Sequence, residues 1–186
     1  MGGTLEGTDE RLFSAYLAGD ASAHEALFRR YQEPLCRYLE QMLGSRAAAE
    51  DVVIETFLRL HRHRRRYRIG TAVRPWIFTI ARNLALNRKR ADRIQRLIGM
   101  TPAGAPTSGP APAGDPAVRS RMTAAFEALP PKQREVCSLR LLSELRLEEI
   151  ARLTGASVGT TKSRLFYGLR RLRALLRDLA PEGGSR

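Results

Sequence analysis

The chain has 186 residues, a formal net charge of +13 and a pI near 11.0. That length allows one or two compact domains, and that charge, well beyond what solubility needs, points to nucleic acid or an anionic membrane face as partner. Cationic excess in both halves excludes a single basic tail; Cys36 and Cys137, the only cysteines, exclude a disulfide framework and a thiolate zinc site. With no apolar run of about 18 residues and no basic and apolar zones of a signal peptide in residues 1–20, the expectation is a soluble, non-exported protein of a reducing cytoplasm.

Residues 1–20 read as a small, acidic N-terminal segment. Leu27, Tyr31, Leu35, Tyr38 and Met42 then recur at steps of three and four, which predicts an amphipathic helix ended by Gly44. A second helix is predicted from Ala47 to Arg66 with Val53, Phe57 and Leu60 inward, and a third from Pro75 with Trp76, Ile80 and Leu84 inward. Arg68 to Val73, with Gly70, reads as the loop between them. The stretch from Met100 to Pro116 holds half of the ten prolines and no large apolar side chain after Met100. It cannot pack a core, so residues 100–117 are expected to be a linker of partly extended character. Helices are then predicted over Val118–Leu129, Lys132–Ser143, Leu147–Leu153 and Val158–Leu179, with Pro130-Pro131 as a break and 180–186 as a tail. No strand-period alternation is present, and the predicted class is all-α: two small helical domains, 21–99 and 118–179, joined by the linker.

In the second domain, small Ala151 allows two helices to cross closely, Gly155 supplies the freedom a tight turn needs, and Ser157 is a good N-cap. Thr161, Leu165, Leu169, Leu172 and Leu176 form the buried stripe of the following helix. Gly159, Thr160, Ser163, Tyr167 and Arg170 point outward, with Lys162, Arg164 and Arg171 on the flanks. Small hydroxyls early and cations later suit a recognition helix of a helix-turn-helix, whose first turns meet base edges and whose arginines meet phosphates. An ordinary basic surface helix is the alternative. Gly168 inside this helix costs about 1 kcal/mol relative to Ala, with no reason visible in the sequence.

In the first domain, Asp51, Glu55, Leu58 and Arg62 lie opposite the Val53/Phe57/Leu60 stripe, an acidic face with an exposed leucine in a basic protein. It reads either as a protein docking site or as a solvated helix face with favourable charge near its N-terminus. A dense run of Arg59, Arg62, Arg64, Arg65, Arg66 and Arg68 is followed by Arg74, Trp76, Arg82, Asn83, Asn87, Arg88, Lys89, Arg90 and Arg93. Cations interleaved with amides and aromatics meet the needs of single-stranded or melted DNA. Trp76, on the inner stripe, is expected in the core rather than stacked on a base. His61 and His63, two apart on a helix, point about 200° from one another and read as surface residues rather than metal ligands.

No phosphate-cradling loop, His-Glu-x-x-His or nucleophile elbow is present, and Glu148-Glu149 reads as helix-start charge. A nucleic-acid enzyme would need carboxylates or a metal cluster beside the basic surface, so no enzyme and no cofactor is expected. An autonomous helix-turn-helix regulator would dimerise on two half-sites, and no dimerisation helix is evident.

Three ordered blocks resemble the bacterial sigma-70 factors of the extracytoplasmic-function (ECF) group: residues 49–60 (AEDVVIETFLRL) its region 2.2, 74–83 (RPWIFTIARN) its regions 2.3 and 2.4, and 129–136 (LPPKQREV) with 159–165 (GTTKSRL) its region 4. The resemblance covers most of the chain outside the linker and implies a sigma2 domain over 21–99 and a sigma4 domain over 118–179. It implies that Asp51, Glu55 and Leu58 dock on core RNA polymerase. It further implies that the loop and third helix open and read the −10 promoter element, through Arg68, Thr71, Arg74, Arg82, Asn83, Asn87, Arg88 and Arg90. The −35 duplex falls to Thr160, Lys162, Ser163, Arg164, Tyr167 and Arg171, and an anti-sigma factor is a further implied partner. This chain departs from the family's usual residues at Ile54 (commonly Gln), His61 (commonly Trp), Asn87 (frequently Asp) and Phe166-Tyr167-Gly168 (a more basic run).

Overall fold

The computed structural model describes residues 8–68, 70–97 and 115–177. Eight α-helices and no strand occur among them. The chain divides into two compact units with a boundary at Ser108/Gly109. The expected linker, over residues 100–114, and the expected tail, 180–186, lie outside the described residues.

The N-terminal unit consists of α1 (Asp9–Leu17), α2 (Ala21–Leu43), α3 (Arg46–His63) and α4 (Val73–Leu97). Helix α1 falls in the stretch expected only as an N-terminal segment. Thr8 caps it by accepting the Arg11 N–H, Asp9 and Glu10 place negative charge at its positive end, and Leu12, Phe13 and Tyr16 are buried along one edge. Asp20 caps α2 through the Ser22 and Ala23 N–H groups, and Gly44, at φ +73°, ends it. The predicted stripe of Leu27, Tyr31, Leu35 and Tyr38 is fully buried against the other three helices, with Met42 half-buried at its end.

Ser45 caps α3, which buries Val53, Phe57 and Leu60 as expected but ends at His63 rather than Arg66. The three arginines that follow tighten into a 3-10 turn, and Arg64 donates to the His61 carbonyl at 2.8 Å, satisfying an orphan acceptor of the helix end. Helix α4 starts at Val73, two residues before the predicted Pro75; a proline in the first turn lacks only an N–H that has no intrahelical partner. Its buried stripe is Val73, Ile77, Phe78, Ala81, Leu84 and Ala85. Trp76 and Ile80, predicted inward, are half-buried on the flank of that stripe.

The C-terminal unit consists of α5 (Pro116–Glu127), α6 (Pro131–Leu142), α7 (Leu147–Thr154) and α8 (Val158–Leu175). Helix α5 begins inside the expected linker, because Asp115 accepts the Ala117 N–H at 2.8 Å and Pro116 occupies the first turn. Phe126, Leu129, Cys137 and Leu172 form the core of this unit, with Leu165, Leu169 and Leu176 packed against it. Gly168 acquires its reason here. A Cβ on it would sit 2.4 Å from Cys137 Sγ and 3.5 Å from Gln133 Cβ, so glycine is what lets α8 close on α6.

Candidate nucleic-acid and protein interfaces

The outer face of α3 carries Asp51, Glu55 and Leu58 as predicted. Asp51 and Leu58 are exposed and Glu55 is partly so. Both carboxylates have cationic neighbours: Asp51 meets Arg88 of α4 at 3.2 Å, and Glu55 meets Arg59 one turn on at 2.8 Å. Ile54 was missing from the predicted face. At 55% exposure beside Leu58 at 47%, it adds a second exposed aliphatic side chain there, and its i, i+4 spacing from Leu58 is the signal in the sequence. Below Ile54, a groove of about 290 Å³ runs between α2 and α3, with Phe28, Cys36, Val53 and Arg46 in its lining.

Arg46 fixes the geometry of that groove. It bonds Glu33 and Glu50 at 2.9 Å each and lies 3.8 Å from Glu40, joining α2 to α3. Partial burial pushes the Glu33 carboxyl up, but hydrogen bonds from Arg46 and Arg37 outweigh it and hold the group below its usual range. Burial raises the Cys36 thiol to about 12, which leaves it an inert apolar group rather than a nucleophile.

The predicted loop leaves Arg68 and Thr71 exposed, with Gly70 at φ +90°; Ile69 lies outside the described residues. The Thr71 N–H and hydroxyl both donate to the Arg68 carbonyl, at 3.1 and 2.7 Å, and the Tyr67 hydroxyl donates to the Thr71 carbonyl. Asn83, Asn87 and Arg90 follow at steps of four and three as an exposed stripe along α4, the Arg90 guanidinium 3.5 Å from Asn87 Oδ1. Arg82 is half-buried beside them. Two predicted contact residues are engaged within the unit: Arg88 with Asp51, and Arg74, which lies 3.6 Å from Asp9 and over the Tyr31 ring at 5.5 Å.

His61 and His63 are both exposed, but His61 Nδ1 shares a 2.5 Å hydrogen bond with the Tyr16 hydroxyl and its ring lies 6.1 Å from that of His24. Burial, then the proximity of His61, lowers the His24 pKa from its ordinary value. Among the described residues no group of three His, Cys, Asp or Glu side chains is placed to hold a metal.

In the second unit α7, a turn and α8 form the predicted motif. Ala151 is buried at the crossing, Gly155 adopts φ +66°, and Ser157 accepts the Thr160 N–H at 3.1 Å. Glu149 accepts the Arg146 N–H at 2.8 Å, consistent with its reading as a helix-start charge. Thr160, Lys162, Ser163, Tyr167, Arg170 and Arg171 are exposed on α8, and Arg164 is half-buried. The Thr160 hydroxyl is tied to Ser157 Oγ at 2.9 Å. Phe166, not among the predicted contacts, is 63% exposed and packs edge-on against Tyr167 with ring centroids 5.3 Å apart.

No helix among the described residues is long and apolar enough to cross a membrane. Residues 27–94 match the Sigma-70 region 2 family and residues 119–172 match the Sigma-70, region 4 family. The chain is 34% identical over 165 residues to RNA polymerase sigma factor CarQ of Myxococcus xanthus, covering 88% of this chain and 95% of that protein. It is 34% identical over 171 residues to the ECF RNA polymerase sigma factor SigL of Mycobacterium tuberculosis, covering 89% and 96%. Among solved structures, the sigma factor RpoE in complex with the anti-sigma factor NepR from Bartonella quintana superposes with a TM-score of 0.63 at 27% identity, over 77% of this chain and 89% of that one. CnrH in complex with the cytosolic domain of CnrY shares the fold, with a TM-score of 0.69 at 22% identity over 91% and 97%. With both halves matched in order and relatives aligned over nearly their whole length, the chain belongs to the ECF group of sigma-70 RNA polymerase sigma factors.

Proposed function

We propose that this sigma factor docks on core RNA polymerase through α3 and carries it to promoters read at two points. Asp51, Glu55, Leu58 and Ile54 form the docking face. Arg68, Thr71 and Arg74 with the α4 stripe of Asn83, Asn87 and Arg90, and Arg82 and Arg88 beside them, meet the melted −10 strand. Thr160, Lys162, Ser163, Arg164, Tyr167 and Arg171 of α8 meet the −35 duplex, with Phe166 beside them. Residues 21–99 together with α1 would then act as the sigma2 domain and 118–179 as the sigma4 domain, with 100–117 as their tether. The reaction belongs to the polymerase, so the factor itself needs no cofactor and works in the cytoplasm. A regulatory anti-sigma partner is part of the reading, by analogy with the sigma factor RpoE, whose structure holds the anti-sigma factor NepR.

The observation that carries this reading is the separation of charge. A chain of net charge +13 keeps two carboxylates and two exposed aliphatic side chains together on one face of α3. With Asp51 and Glu55 paired to Arg88 and Arg59, that face offers DNA little net positive charge and two exposed aliphatic side chains, whereas the α4 stripe and α8 would attract it. The test is co-migration of the full chain with purified core polymerase. Asp51→Arg combined with Glu55→Arg is expected to abolish co-migration while leaving low-salt binding to duplex DNA in place. Loss of both, or of neither, overturns the assignment of the face.

A further inference from the structure

Helix α1 makes a set of contacts that all converge on the start of α4. The residue preceding α4 is Ala72, which has no side-chain acceptor to cap a helix. The missing cap comes from 63 residues earlier: Glu10 Oε1 accepts the Val73 N–H at 3.3 Å. Beside it, Asp9 lies 3.6 Å from Arg74 and 2.7 Å from Arg30, and it accepts the Tyr31 hydroxyl. One turn on, the Phe13 ring packs against Tyr67 at 4.6 Å and Trp76 at 5.4 Å, which are the residues on either side of the loop. Tyr67 in turn reaches over the loop to the Thr71 carbonyl. Among the described residues of the loop, Gly70 sits at the turn with φ +90°, and the Thr71 N–H and hydroxyl donate to the Arg68 carbonyl.

We infer that α1 is the positioning element of the −10 reader, with Glu10 and Phe13 holding Tyr67 and Val73, the two ends of the loop, where a displaced DNA strand meets it. The inference rests on the reading of that loop as a base-contacting segment. A loop held at both ends loses less conformational freedom on binding, and the retained freedom of an unheld loop would appear as weaker and less selective recognition. Glu10 is exposed apart from this bond, so its replacement leaves the packed core untouched.

The test uses the full chain assembled with core polymerase and a pool of single-stranded 12-nucleotide DNA of random sequence, sequenced before and after capture. Glu10→Ala is expected to reduce enrichment of the preferred sequences by about fivefold, the effect of one lost helix-cap bond. Glu10→Gln, which keeps the acceptor, should restore most of it, and neither change should alter the affinity for core. Arg68→Ala with Thr71→Ala is the companion variant. If it flattens enrichment and Glu10→Ala does not, the positioning role is overturned. If even the companion leaves enrichment intact, the loop is not the reader and the underlying functional reading fails. If Glu10→Ala weakens core binding as much as enrichment, α1 is a general structural prop and the inference is again overturned.

Discussion

Replacing Gly168 by alanine should reverse the usual sign of a glycine-to-alanine change in a helix. In a helix interior that change normally stabilises by about 1 kcal/mol. Here the added Cβ would sit 2.4 Å from Cys137 Sγ, so α8 must move away from α6 or the Cys137 side chain must leave its buried site. Overpacking of that kind costs about 1–3 kcal/mol, and subtracting the propensity gain leaves a net loss of about 1 kcal/mol, or about 4–8 °C in the melting temperature of a unit this small. Cys137→Ala removes the obstructing sulfur, so in that background Gly168→Ala should recover its ordinary gain, a coupling of about 2 kcal/mol between the two sites. The only tryptophan, Trp76, lies in the other unit. Amide hydrogen exchange along α6 and α8 in the full chain is therefore the suitable assay, reporting opening of this unit alone. The same stabilisation in both backgrounds would refute the close-approach explanation.

Arg164→Ala and Arg171→Ala should each weaken binding of −35 duplex, by about 1–3 kcal/mol where the side chain meets a base and with a shallower salt dependence where it meets phosphate; filter binding across a salt series distinguishes the two. The lowered His24 pKa means that the folded state resists protonation near that group's ordinary value of 6.5. Its contribution is therefore present above that value and lost as pH falls toward the folded pKa. Melting curves between about pH 7.5 and 5.5 should show a larger loss for the natural chain than for His24→Phe, which keeps a ring but cannot titrate; equal losses would remove His24 as a source of acid sensitivity.

Much of this molecule was legible in its sequence, because its helices carry strong period and clear punctuation. Gly44, Gly155 and Ser157 stop and start helices where their chemistry says they should. The misses have physical causes. Helix α1 is only nine residues long, yet Thr8 as cap, Asp9 and Glu10 in the first turn, and Leu12, Phe13 and Tyr16 on one edge were its signature. Trp76, Ile80 and Leu84 share a face by spacing, but the buried stripe of α4 is centred on Val73, Ile77, Phe78 and Ala81 and leaves the indole on its flank against Phe13 and Tyr67. Gly168, the Arg46 bridge to Glu33 and Glu50, and the Glu10 cap on α4 join residues whose proximity only the tertiary fold creates. Of the candidate residues, those on α8 are exposed as their spacing implies, save half-buried Arg164, whereas the engagement of Arg74 and Arg88 within the unit is invisible to spacing.

Run-off transcription tests the central claim most directly, with purified core polymerase, a library of bacterial promoters, and this protein present or absent. A defined subset of promoters should fire only when the protein is added, and Asp51→Arg with Glu55→Arg should silence that subset. Should no promoter respond while the protein still binds DNA unaided as a dimer, it would be a self-sufficient regulator, and the two-point promoter grip on polymerase would be contradicted.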